Sequence, residues 1–320
     1  GHTIDKDYLS KNYININISN LKSKFSSSTK EYCKNIIKKS KKMNFDIIEI
    51  HNRPKVFEYL SPKLKSKYIL YFHNDPLSMN GSISKNERVY LLKNLDKIIF
   101  VSKWVRNRFF ENIDKKLIHK TEVVYPSIDK IKKFPNKEKK IVFVGKLNVS
   151  KGYDIYGKAI IKILDEFINW KAYSIGDEYR KRPIINHKNH FELGFFKHKE
   201  VLNFLSKSEI AVVPSRWEEP FGRTSLESSS RGCATIISNR GGLPETTDNS
   251  IILKRLNYQE LYKQLKNLIT NSDKRKSIQI NSYKNVKHIT STNSQFIDEI
   301  RQSLSNNFNL NILKKKLRII

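Results

Sequence analysis

The sequence predicts an α/β protein of two units, each a parallel sheet with helices on both faces. Three observations predict it. Short apolar runs alternate with helix-patterned segments from about Phe45 to Ser305. The alternation is interrupted once, by the charged, Pro-containing stretch between Ile131 and Lys140, and then restarts. A chain of 320 residues, 38% of them hydrophobic, is long enough for two cores.

Taken in order, residues 1–30 are polar, with one strand candidate at Tyr13–Ile18. A basic helix is expected over 29–42. The apolar run 45–50 reads as a buried strand that ends in His51-Asn52-Arg53-Pro54. A helix over 56–64 leads to a strand over 68–72, which runs into His73-Asn74-Asp75-Pro76. Helix 87–95, strand 97–101, helix 103–111 and strand 122–125 complete the first half. After the charged stretch, strand 141–144 opens onto Gly145-Lys146-Leu147 and Lys151-Gly152, followed by helix 153–167 and strand 172–175. Strand 191–193, helix 199–206, strand 210–214 and strand 234–238 follow. Helices are expected at 258–270, 272–286 and 295–305, ahead of a basic tail at 314–318. The resulting division is 1–135, 136–294, and a terminal helix with tail, 295–320, packing back on the first domain.

Composition bounds the partners. Lys and Arg number 61 against 31 Asp and Glu, a formal charge of +30. Such a chain attracts polyanions or anionic membrane surfaces at low salt. Heavy Lys, Asn and Ile usage gives the same look through coding bias alone. Cys33 and Cys233 are the only cysteines, which argues against a disulfide framework. No run of about 18 apolar residues offers a membrane span, and Gly1-His2-Thr3 opens no apolar leader. The expected location is cytoplasmic, peripheral at the inner face of the cytoplasmic membrane.

The most informative stretch is Ser215-Arg216-Trp217-Glu218-Glu219-Pro220-Phe221-Gly222-Arg223-Thr224-Ser225-Leu226-Glu227. Pro220 and Gly222 break any continuous helix, so Glu219 is expected in a loop and Glu227 in the first turns of the next helix. Amides at Gly222, Arg223 and Thr224 then form an anion site at a helix N-terminus. A carboxylate on each side suits the hydroxyls of a phosphorylated ligand. Lys146 and Lys151, on the loop after a strand, are further cations for phosphate.

The segment Glu219–Glu227, with Gly145-Lys146-Leu147 and Lys151-Gly152 upstream, resembles the donor site of the retaining glycosyltransferases of family 4, which have the GT-B fold of two Rossmann-like domains facing a cleft. The His51-Asn52-Arg53-Pro54 and His73-Asn74-Asp75-Pro76 loops resemble the subset linked to lipopolysaccharide and other surface glycans. The resemblance implies metal-independent transfer of a sugar from a nucleotide diphosphate-sugar, UDP-sugar ahead of GDP-sugar, with retention, to a glycan or lipid-linked acceptor. It implies no cofactor and no metal. Residue by residue, Glu219 faces the sugar hydroxyls, Glu227 the ribose, and Lys146 and Lys151 the diphosphate. The amides around Phe221, Gly222, Arg223 and Thr224 assist there. Leu193-Gly194-Phe195 falls where relatives hold the base, and His73 where they have a histidine facing the donor sugar. Asn74, Asp75, His51 and Arg53 fall on the acceptor side. Relatives also begin with a strand and a Gly-rich loop, whereas no glycine pair precedes residue 81, so that loop is expected to be missing or replaced.

Other signals are weaker. Asp5-Lys6-Asp7 formally matches a metal-binding aspartate pair but does not follow a strand. His187 and His190 lack a third ligand and are expected at the surface. No Gly-x-Gly-x-x-Gly or Walker-type loop is present. Two alternatives stay open: a nucleotide-sugar epimerase or inactive donor-binding protein on the same fold, and a basic nucleic-acid-binding protein, although no specific nucleic-acid signature is found.

Overall fold

The computed structural model describes residues 27–40, 45–180 and 182–305. The strand candidate at Tyr13–Ile18, the Asp5 and Asp7 pair, and the basic run 314–318 lie outside them. The chain forms two compact units. Among the described residues, one unit takes in those up to Val124 together with 294–305, and the other is Tyr125–Asn293.

In the first unit, strands β1 (Ile47–His51), β2 (Lys67–Phe72), β3 (Lys97–Phe100) and β4 (Thr121–Val123) form one parallel sheet in the order β1-β2-β3-β4. Helices α1 (Ser28–Ser40), α2 (Pro54–Leu60), α3 (Lys85–Asn94) and α4 (Lys103–Phe109) alternate with them. The period of two along a strand sorts the core. Ile69, Tyr71 and Ile99 pack with Ile297 and Ile300 of the last helix, α10 (Thr290–Leu304). On β2 and β3, Phe72 and Phe100 instead meet Phe109 of α4, with ring centroids 5.2 to 5.5 Å apart. Each such buried side chain is worth about 1.5–3 kcal/mol. Arg301 of α10 forks onto Glu49 of β1, with Nε donating at 2.6 Å and the second guanidinium nitrogen at 2.9 Å.

The second unit has a six-stranded parallel sheet in the order β10-β9-β8-β5-β6-β7. Its strands are β5 (Glu138–Val144), β6 (Lys171–Ile175), β7 (His190–Glu192), β8 (Ser208–Val213), β9 (Ala234–Ile237) and β10 (Ile251–Ile252). Counted within the unit this is the 3-2-1-4-5-6 order of a doubly wound nucleotide-binding sheet, and the direction of winding reverses between β5 and β8. Helices α5 (Tyr153–Glu166) and α8 (Tyr258–Thr270) cover one face through Ile141, Phe143, Ile160 and Leu265. On the other face, Val142 and Ala211 pack with Val201 and Leu205 of α6 (His198–Lys207) and with Cys233. Helices α7 (Arg223–Ser230) and α9 (Ser272–Lys284) complete the unit.

The stretch 131–140, read from sequence as the linker, belongs to this second unit. Ile131 accepts a bond from Tyr283, and the Lys137 ammonium donates to the carbonyls of Leu205 and Arg231. A charged, aperiodic stretch can still pack, because lysine stems bury while their ammonium groups meet carbonyls. The chain leaves the unit where it entered: Asn293 donates to the Tyr125 carbonyl at 2.5 Å, and Ile128 bridges Ile289.

Candidate donor-binding site

Loops at the C-terminal ends of β5 and β8 flank the point where the sheet reverses, which is where open α/β sheets take ligands. The β5 loop carries Lys146 and Lys151. Leu147 anchors it in the core. Asn148 caps its short turn by accepting from the Lys151 amide at 3.0 Å and donates to Glu178 at 2.7 Å. The bonds from Arg180 and Asn148 hold the Glu178 carboxyl down at about 2. Gly152 closes the loop at φ 75°, and a Cβ there would lie 1.9 Å from the Pro214 carbonyl oxygen. Only glycine lets the two loops approach this closely.

From β8, the amides of Arg216 and Trp217 both donate to the Ser150 carbonyl, at 2.9 and 3.0 Å. Arg216 forks onto Asp154 of α5 at 2.5 and 2.7 Å, and that carboxylate holds its guanidinium above its ordinary value. The two loops are thereby stitched into one wall. Across it, the Lys151 ammonium meets Glu219 Oε1 at 2.5 Å, and the Ser215 hydroxyl donates to the same oxygen at 2.9 Å. Glu218 turns the other way and accepts from Arg240 and the Gly241 amide.

Gly222, at φ 107°, is the N-cap of α7. The first α7 bonds run from the Ser225 and Leu226 amides to the Gly222 carbonyl, so the amides of Arg223 and Thr224 lie at the open end of the helix. One turn further, Glu227 is only 6% exposed. Its Oε1 lies 2.9 Å from His198 Nε2 and 3.3 Å from an Arg223 guanidinium nitrogen. The loops after β5 and β8 thus carry an exposed Lys146, the Lys151–Glu219 contact, a helix N-terminus and, one turn into α7, the buried Glu227.

This arrangement lies inside a recognisable sequence family: the profile described as glycosyl transferases group 1 matches residues 124–285, from before β5 through α9. The chain belongs to the glycosyl transferases group 1 family. An uncharacterized glycosyltransferase of Methanocaldococcus jannaschii is 32% identical over 229 residues, covering 68% of this chain and 63% of that protein. The chain therefore spans under two thirds of that relative. Spore coat protein SA of Bacillus subtilis is 25% identical over 279 residues, covering 74% and 72%. Among solved structures, a glycosyltransferase from Rickettsia africae aligns with TM-score 0.73 at 18% identity over 92% of this chain and 85% of its own. The Anabaena HepE structure in complex with UDP-glucose aligns with TM-score 0.69 at 16% identity, over 85% and 82%. At such identities these neighbours establish the fold, which is GT-B.

The remaining sequence candidates fall as follows. Gly194, at φ 70°, and Phe195, 77% exposed, stand between β7 and α6. The Phe221 side chain is 3% exposed and packs against Tyr125 and His288, so its ring supports the turn from inside the unit. In the first unit, His51 Nδ1 and His73 Nε2 lie 2.8 Å apart with stacked rings, and the Asn52 side chain accepts from the His73 amide. Asp75 caps the Leu77 amide and pairs with Arg108, while Arg53 lies over the Tyr32 ring. Asn74 is exposed beside them.

His187 and His190 are not surface residues. His190 is buried and meets the Ser174 hydroxyl at 2.9 Å; the His187 side chain is 9% exposed. His190 opens β7, the edge strand expected from sequence over 191–193. Sequence reasoning missed His198, Ser215 and the Arg216–Asp154 fork. Ser215 and Arg216 lie within the stretch singled out from sequence, but nothing local there marks their contacts with Glu219 and Asp154.

Proposed function

We propose that the chain is a retaining, metal-independent glycosyltransferase of family 4, transferring a sugar from a nucleotide diphosphate-sugar, UDP-sugar ahead of GDP-sugar, to a glycan or lipid-linked acceptor of lipopolysaccharide or another surface polysaccharide. The observation that carries this reading is the Lys151–Glu219 contact across the sheet's reversal point, beside the open N-terminus of α7 and the buried Glu227.

In this reading Glu227 accepts from the ribose hydroxyls and Glu219 from hydroxyls of the transferred sugar. The departing nucleotide gains negative charge as the glycosidic bond breaks. Lys146, Lys151 and the amides of Arg223 and Thr224 meet that charge already in place, which lowers the barrier without reorganisation. Lys151 then divides its charge between Glu219 and the diphosphate, and so ties sugar orientation to leaving-group stabilisation. Family membership and a neighbour solved with UDP-glucose support the donor class. Retention and the surface-glycan pathway rest on the family resemblance. The net charge of +30 favours work at an anionic inner membrane face, and no described helix is long and apolar enough to cross a membrane.

A thermal-shift panel over UDP-, GDP- and ADP-sugars tests the donor reading. A donor at about 100 times its Kd adds about 2.7 kcal/mol of stability; no shift with any of them would refute it. Product analysis by NMR then reads the anomeric configuration, and inversion would overturn retention. Flotation with anionic liposomes at low salt checks the membrane face, and absence of binding ends it.

A further inference from the structure

We propose that His198 is a specificity-determining positioning residue: it holds the Glu227 carboxylate so that one oxygen is occupied by protein and the other is presented to the ribose diol. This rests on the donor reading above.

Glu227 is 6% exposed, and both of its contacts end on the same atom, Oε1: His198 Nε2 at 2.9 Å and Arg223 at 3.3 Å. Oε2 receives no hydrogen bond from a described residue. An ionised carboxylate has about four acceptor positions, and Oε2 is not among the buried atoms of the described residues that lack a partner, so its positions stay open to a ligand's donors. A cis-diol supplies two hydroxyl donors side by side, which suits a carboxylate whose free oxygen is fixed in direction.

His198 is the partner that fixes it. The Arg223 side chain is 63% exposed and its contact is long, whereas His198 is the first residue of α6. The Glu200 carboxylate accepts from the Lys197 amide at 2.7 Å and sets where that helix begins. Val201 and Leu205 of α6 are buried against Ala211 and Cys233 of the sheet unit. Ser225, Ser228 and Ser230 of α7 are fully buried as well. Both partners therefore stand on immobilised helices, and the imidazole Nε2–H donates to an oxygen whose position it controls. Glu227 and His198 are 29 positions apart in sequence, so the pair exists only in the fold.

The experiment compares Kd for UDP and for 2′,3′-dideoxy-UDP in wild type, His198→Ala and His198→Gln, with GDP and ADP pairs run in parallel. Wild type should prefer the ribonucleotide. His198→Ala should weaken the ribonucleotide about ten-fold, the loss of one charge-assisted hydrogen bond, and leave the dideoxy nucleotide unchanged. The Gln amide, which places a donor near Nε2, should restore most of the preference. An unaltered ribo-to-dideoxy ratio in His198→Ala, or an equal loss for both nucleotides, would overturn the proposal while leaving the donor reading intact. Failure of wild type to bind any ribonucleoside diphosphate would overturn both. His198 is 44% exposed at a helix start, and the melting temperature of each variant is read alongside its Kd values; the Gln variant, which keeps a donor for Glu227, controls for any loss of fold in the alanine variant.

Discussion

At the scale of single residues, the site depends on charges that meet across the reversal point of the second sheet. Lys151 and Glu219 are 32% and 13% exposed, and both sit on loops locked by neighbouring bonds. A double-mutant cycle on stability with Lys151→Ala and Glu219→Ala should return a coupling of about 0.5–3 kcal/mol. Additive single effects would say that the contact does not form in solution. The residues nominated from sequence here, Lys146, Lys151, Glu219 and Glu227, sit in two short segments where type and spacing carry meaning without a fold. The residues that hold them do not. His198 is 29 positions from Glu227 and Arg216 is 62 from Asp154, so no local pattern announces either pair. Phe221 adds a role that the motif did not announce: its ring is buried against Tyr125 and His288 and supports the turn whose amides the sequence nominated.

At the scale of elements, the alternation of strand and helix was legible because parallel strands buried on both faces read as short apolar runs. Two things were not. Strand β10 is two residues long, Ile251–Ile252, too short to show any period. The segment 131–140 looked like a linker because its lysines mask packing that only the fold supplies, through Tyr283, Leu205 and Arg231. The terminal helix gives a direct test of element-level packing. Arg301 and Glu49 are 12% and 10% exposed, and Asp298 adds a third carboxylate contact at 2.8 Å. Arg301→Ala leaves the largely covered Glu49 carboxylate with only the long Tyr71 hydroxyl contact and should destabilise the first unit by about 3 kcal/mol, read by denaturant unfolding. Arg301→Ala with wild-type stability would show that α10 is not held to β1 in this way.

For the whole molecule, two buried histidines tie stability to pH. Burial lowers the pKa of both His190 and His288 from the ordinary 6.5. The folded chain therefore binds fewer protons than the unfolded chain below that pH, and stability rises with pH there. Their contribution is complete above about 6.5 and is lost as the pH falls below it. Melting temperature should drop between pH 7.5 and 5.5, and His190→Gln should flatten the drop; an unchanged slope would contradict it. The same scale holds the central claim, that the second unit of this group 1 glycosyltransferase chain binds a nucleotide-sugar through two carboxylates with separate tasks. Titration calorimetry on wild type, Glu227→Ala and Glu219→Ala, with the best donor of the thermal-shift panel and with its nucleoside diphosphate, tests it most directly. Glu227→Ala should weaken both ligands about ten-fold or more, as expected when a charged hydrogen-bond acceptor is lost. Glu219→Ala should leave the nucleoside diphosphate within about two-fold of wild type, a difference of only ~0.4 kcal/mol, and reduce turnover. Wild-type affinity and turnover in both variants would contradict it.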